Sequence, residues 1–171
     1  MIADTGSLAQ NPFAVLSLIA APAILTNAAS VLAQSTSTRF LRAAERMRAL
    51  SSRLEGESKT QAMTDLLLVQ VSRVEKQAVM LLTALHAAYV AMGSFSSASL
   101  ISILGAGLAS SSFVIAFRVL VALSLAVGFV GAGGLVWACF NLLGATRLAM
   151  LTISEEAAVI REREQHKRQR R

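Results

Sequence analysis

The sequence predicts an all-α integral membrane protein with three transmembrane helices and helical cytoplasmic extensions that form a hairpin. Three observations predict it. First, 54% of the 171 residues are hydrophobic and only 15% are charged, where a soluble domain carries about 25% charged residues. Mean hydropathy is +0.58. Second, between Lys76 and Arg147 the only formally charged side chain is Arg118. That gap of about seventy residues holds two spans of roughly 20 residues each, and a third apolar run lies at Pro12 to Ala33. Third, the cations are gathered in two clusters outside these runs.

The elements follow in order. Residues 1–11 form a short extracytoplasmic N-terminus with Asp4 and no Lys or Arg. Residues 12–34 form the first span. Its end, "VLA" before Gln34, has Val31 and Ala33 at signal-peptidase spacing. No cation precedes the apolar run, however, and that run exceeds the 7–15 residues of a signal core. The expectation is an uncleaved, N-out span.

Residues 35–76 form a basic cytoplasmic segment. Phe40, Ala43, Met47, Leu50 and Leu54 recur every three or four residues, which is one helix face. "EGESK" at 55–59 reads as a turn, with Gly56 as the breaker. Met63, Leu67, Val71, Val74, Ala78 and Leu81 form a second stripe that runs into the next span. Two striped arms around a turn predict a helical hairpin. The alternative is an amphipathic helix lying on the membrane.

Residues 77–101 form the second span and 102–113 a Gly/Ser loop, from Gly105, Gly107 and Ser110 to Ser112. Residues 114–144 form the third span. Residues 145–171 are a helical extension carrying Leu148, Leu151, Ile153 and Val159, with a frayed basic tail.

Charge decides between three spans and four. Eight cations lie between spans 1 and 2: Arg39, Arg42, Arg46, Arg48, Arg53, Lys59, Arg73 and Lys76. Seven follow span 3: Arg147, Arg161, Arg163, Lys167, Arg168, Arg170 and Arg171. Three spans put all fifteen on one side, which the positive-inside rule makes cytoplasmic. A fourth short span at 94–113 would split the clusters across the bilayer. The N-terminus is therefore expected outside and the C-terminus inside a bacterial cytoplasmic membrane. Arg39, Arg42, Arg46, Arg48 and Arg147 are the expected contacts to anionic lipid, each contributing about 1 kcal/mol near the surface. Nucleic acid is not expected, because Phe40 is the only aromatic residue in the first basic helix.

Within the spans, Pro22 removes the backbone donor to the Leu18 carbonyl and predicts a kink. Asn27 and Asn141 carry amides that need partners in hydrocarbon. His86 and Tyr89 share neighbouring faces, but no Asp or Glu lies between Glu75 and Glu155. A proton relay would lack its carboxylate. Arg118 can snorkel to the outer interface. Gly128, Gly131 and Gly134 predict close helix packing, within the chain or between copies. No catalytic, cofactor-binding or metal-binding constellation is found: there is no nucleophile elbow, HExxH or Walker loop. Cys139 is the only cysteine, which excludes an internal disulfide and a Cys-cluster metal site.

The stretches "NPF…P", "RFLRAAERMRAL", "LVQVSRVEKQAVML" and "ATRLAML", in that order, resemble a bacterial family of three-pass membrane proteins, domain of unknown function 2721. The resemblance covers roughly residues 12–152. It implies a bacterial cytoplasmic membrane location and no assigned activity. The family pattern often has an acidic residue before the Arg at the inner end of span 3, whereas this chain has "LLGATR" there.

Together these readings point to a non-enzymatic, structural or interaction subunit. It would act through residues 38–76 on another copy or a protein partner. The alternative is an oligomeric pore or transport subunit, including a holin-like permeabilising protein.

Overall fold

The computed structural model describes the backbone of residues 12–55, 61–108 and 114–169. It describes side-chain environments within 16–17, 20–52, 67–107 and 115–151. Among the described residues the chain is all-α, with three helices: α1 (Pro12–Glu55), α2 (Gln61–Leu108) and α3 (Val114–Gln169). The expected turn at 55–59 lies almost wholly outside the described residues.

Local chemistry accounts for much of each helix. Pro12 opens α1, where a missing N–H costs no intrahelical bond. α1 continues through Pro22. One turn on, the Thr26 hydroxyl donates to the Pro22 carbonyl at 2.9 Å. Thr83, Ser94 and Thr146 donate in the same way to the carbonyls of Val79, Val90 and Leu142. Such back-bonding satisfies a hydroxyl inside an apolar helix without a neighbour.

α2 runs past the expected end of its apolar run, so residues 102–108 are helix rather than loop. Ser102 and Gly105 fit a close helix contact. Ser102 is buried, and a Cβ added to Gly105 would sit in ordinary contact with Leu120 Cβ, at 3.7 Å. α3 is helical through Gln169, where fraying was expected from the basic tail. Leu148 is half-buried and Leu151 exposed, while the side chains of Ile153 and Val159 lie outside the described residues.

The chain divides into two compact units. One contains residues up to Ser35 with Leu85–Ala138; the other contains Thr36–Ala84 with Cys139 onward. The first unit has an interior of small side chains. Ala29 packs with Ala91 and Phe95, flanked by Met92 and Leu135. Ala33 packs with Ala88 and Ala138, flanked by Leu32, Leu85 and Ala87. Alanine at the contact lets helix backbones approach closely. Phe95 is the one large side chain fully buried there, at 1% exposure. It fits because α3 offers a notch: a Cβ on Gly131 would lie 2.8 Å from Phe95 Cε1. Gly134 is nearly as tight, with its Cβ position 3.2 Å from the Ala87 carbonyl oxygen.

The second unit mixes larger aliphatic groups with alanine. Leu50 of α1 packs with Leu67 and Val74 of α2, flanked by Met47 and Val71. Ala43, Leu81 and Ala145 join all three helices, flanked by Phe40, Ala78, Met80 and Leu142. The two stripes read from the sequence are the buried faces here, as far as Leu67 on one arm and Leu50 on the other.

The glycines divide into tight and open positions. Nothing lies within 4 Å of a Cβ added to Gly128 or Gly133, so Gly128 makes none of the expected packing contact within the chain. Gly131→Ala is expected to destabilise by about 1–2 kcal/mol, overpacking against Phe95 outweighing the gain in helix propensity. Gly128→Ala and Gly133→Ala should be neutral or stabilising by up to about 1 kcal/mol. Thermal unfolding of the three variants in detergent checks the order.

Candidate functional site

The most specific polar geometry lies in the first unit, between α2 and α3. Ser124 donates to the Ala98 carbonyl at 3.0 Å, and the Ser102 and Ser124 hydroxyl oxygens are 2.7 Å apart. Each hydroxyl has one proton. Ser124 gives its proton to Ala98, so Ser102 must donate to Ser124. The order is Ser102 to Ser124 to Ala98, and both serines are buried. This is an interhelical clamp rather than a reactive site, since no base adjoins either hydroxyl within it.

The sequence reading missed this pair. Ser102 lay in a stretch taken for a loop, and Ser124 is a lone hydroxyl in an apolar run. The signal was the register: Ser102 falls on the same three–four repeat as Ala91, Phe95 and Ala98.

The expected site residues are placed as follows. Arg39, Arg42, Arg46 and Arg48 are exposed along α1, and Arg46 is engaged in a further interaction. Arg147 is exposed on α3. These five all belong to the second unit, which makes that unit strongly basic. Pro22 is half-buried and Asn27 exposed on α1; His86 is exposed on α2. Asn141 is half-buried and makes an interaction of its own. The polar residues are thus dispersed over separate helix surfaces. Gly131 and Gly134 meet α2, as described.

Among the described residues no group of three or more His, Cys, Asp or Glu side chains converges. Cys139 is a free, exposed thiol.

Large apolar side chains lie open on the exterior. Ile115 is 81% exposed, Phe129 76% and Phe140 70%, with Val136, Trp137, Leu143 and Met150 also open. Two helical stretches, Leu67–Gly107 and Ile115–Leu151, are long and apolar enough to cross a membrane. Only 33% and 11% of their most apolar windows are buried inside the chain, whereas the core helix of a soluble protein is mostly buried.

The architecture is therefore that of an all-α protein with two membrane-compatible helices. The family described as protein of unknown function (DUF2721) matches residues 19–155, and the chain belongs to that family. No curated protein and no solved structure matches it.

Removing the central hydroxyl should cost more than removing the outer one. Ser124→Ala is expected to lose about 1–2 kcal/mol, because Ser102 is left without its acceptor. Ser102→Ala should lose less, since Ser124 keeps the Ala98 carbonyl. Equilibrium unfolding of both variants in mixed micelles gives the comparison.

Proposed function

We propose that the chain is a non-enzymatic integral membrane protein with three spans, N-terminus outside and C-terminus in the bacterial cytoplasm. It serves as a structural or interaction subunit through its cytoplasmic helices. The observation that carries this reading is the distribution of side-chain size in the first unit: bulky apolar side chains lie outside, and inside, apart from Phe95, are alanine, glycine and serine. In water, exposed apolar surface costs about 25 cal/mol per Å². In lipid that cost vanishes, and close packing of small residues holds helices together.

Helix lengths support the same placement. From Arg118 to Arg147, α3 rises about 43 Å at 1.5 Å per residue. Hydrocarbon plus headgroups measures about 40–45 Å. From Pro12 to Arg39, α1 rises about 40 Å.

The cytoplasmic arms are the ends of α1 and α2, packed through Leu50, Leu67 and Val74, and we read them as a hairpin. Their outer surface carries Arg39, Arg42 and Arg48 in the open. It would meet anionic lipid on the membrane side and a protein partner or second copy on the cytoplasmic side. A hairpin held by its own aliphatic contacts can present such a surface without folding on binding.

Single cysteines introduced at Ser7, Ser58 and Ser111 in a Cys139→Ala background test the topology in sealed right-side-out vesicles. An impermeant maleimide should label positions 7 and 111 and spare 58 until the vesicles are opened. Labelling of 58 together with 111 from one face, or recovery of the chain in a detergent-free soluble fraction, refutes the reading.

A further inference from the structure

In the second unit, α2 carries a pocket of about 340 Å³ lined by Ser72, Glu75, Lys76, Val79 and Met80. That volume is at the lower end of the roughly 300–1,000 Å³ of small-ligand sites. The lining is ordered along the helix. A hydroxyl, a carboxylate and an ammonium occupy the end nearer Gln61, and an isopropyl group and a thioether occupy the other. Met80 is placed against α3 by Gly144, where an added Cβ would lie 3.4 Å from its sulfur.

Glu75 and Lys76 are both exposed, and among the described residues neither makes an ion pair or hydrogen bond. Adjacent positions on a helix are about 100° apart, so the two side chains do not face each other. The pocket thus holds a carboxylate and an ammonium from successive positions of α2, where apolar surface begins.

We propose that this pocket binds the headgroup of a zwitterionic aminophospholipid of the phosphoethanolamine type. Glu75 receives the primary ammonium, which donates hydrogen bonds to the carboxylate. Lys76 and the Ser72 hydroxyl hold the phosphate, and Val79 and Met80 take the start of the acyl chains. The polarity of the pocket matches that of such a lipid. The assignment rests on the bilayer reading above, in which the Gln61 end of α2 is cytoplasmic and the Val79 end enters the membrane. The chemistry also sets the selectivity. A choline headgroup has no N–H to give Glu75, and a glycerol headgroup brings no cation to offset it.

Native mass spectrometry of the purified full-length protein tests this, with equimolar phosphatidylethanolamine, phosphatidylcholine and phosphatidylglycerol of matched chains. The wild type should retain the ethanolamine lipid several-fold over the other two. Glu75→Gln should abolish the preference over phosphatidylglycerol, and Lys76→Gln should lower retention of all three phospholipids. Both side chains are exposed, so circular dichroism should report wild-type helicity. Equal retention of the three lipids by the wild type, or a preference unchanged in both variants, overturns the assignment. So does displacement of the lipid by soluble phosphoethanolamine at comparable concentration, which would make the headgroup alone the ligand. If cysteine labelling gives the expected topology and lipid selectivity is absent, the pocket assignment alone fails.

Discussion

The contact between Phe95 and Gly131 sets the geometry of the first unit. A phenyl ring buried among alanines needs a void on the facing helix, and only a residue without a Cβ supplies one. With the ring seated, Ala29, Ala91 and Ala98 meet their neighbours at short range, and Gly134 lies against the Ala87 carbonyl. The same register brings Ser102 opposite Ser124. One ring and one missing side chain thus fix how α2 and α3 are aligned, and the hydroxyl clamp is a consequence of that alignment. The second unit adds bulk: Leu50, Leu67 and Val74 fill one contact, while Leu81 sits between Ala43 and Ala145. Small residues suit contacts in which burying apolar area gains nothing; large aliphatic residues suit contacts driven by water. In the proposed placement, the small-residue contacts of the first unit suit the lipid-embedded helices, and the Leu50–Leu67–Val74 contact suits arms that lie beyond the membrane.

Much of this was legible in the sequence because it depends on period and charge. The stripes Phe40–Ala43–Met47–Leu50 and Leu67–Val71–Val74–Ala78–Leu81 were read from three–four spacing, and those residues are the buried or half-buried ones. The boundary at 102–108 was not legible. Serine and glycine lower local helix preference in a loop and in a tight helix contact alike. Only the residues opposite, Leu120 and Ser124, decide between the two, and they are distant in sequence. The glycines show the same limit. Gly128 and Gly134 lie on either side of Gly131, about 60° away in opposite directions around α3. Their spacing is symmetric, but the packing is not: one flank meets α2 and the other is open. Sequence periodicity finds the centre of a helix contact without saying toward which flank the partner leans.

The polar residues within the apolar runs follow a simple division. Thr26, Thr83, Ser94 and Thr146 satisfy their hydroxyls on the preceding turn of their own helix, and so need nothing from a neighbour. Ser102 and Ser124 are satisfied across helices. His86 and Asn27 are exposed, and both lie in the first unit. In the proposed bilayer both lie well inside their spans, so a covering protein surface would lower their cost. Asparagine and histidine therefore mark positions where lipid is the poorest neighbour.

In the proposed reading, recognition falls to the second unit, where most of the described charges lie. Its described α1 surface presents Arg39, Arg42 and Arg48, and its α2 surface presents Glu75 and Lys76. In the first unit, Arg118 is the single formally charged residue among those described. A basic α1 face attracts any anionic headgroup and discriminates poorly, because point charges at a screened surface read little beyond sign. A carboxylate beside an ammonium behaves differently. It repels a simple anion with one group while attracting it with the other, and favours a molecule that brings both signs at matching separation. The arginines would hold the protein at the membrane surface, and the Glu75–Lys76 pocket would choose among the lipids found there.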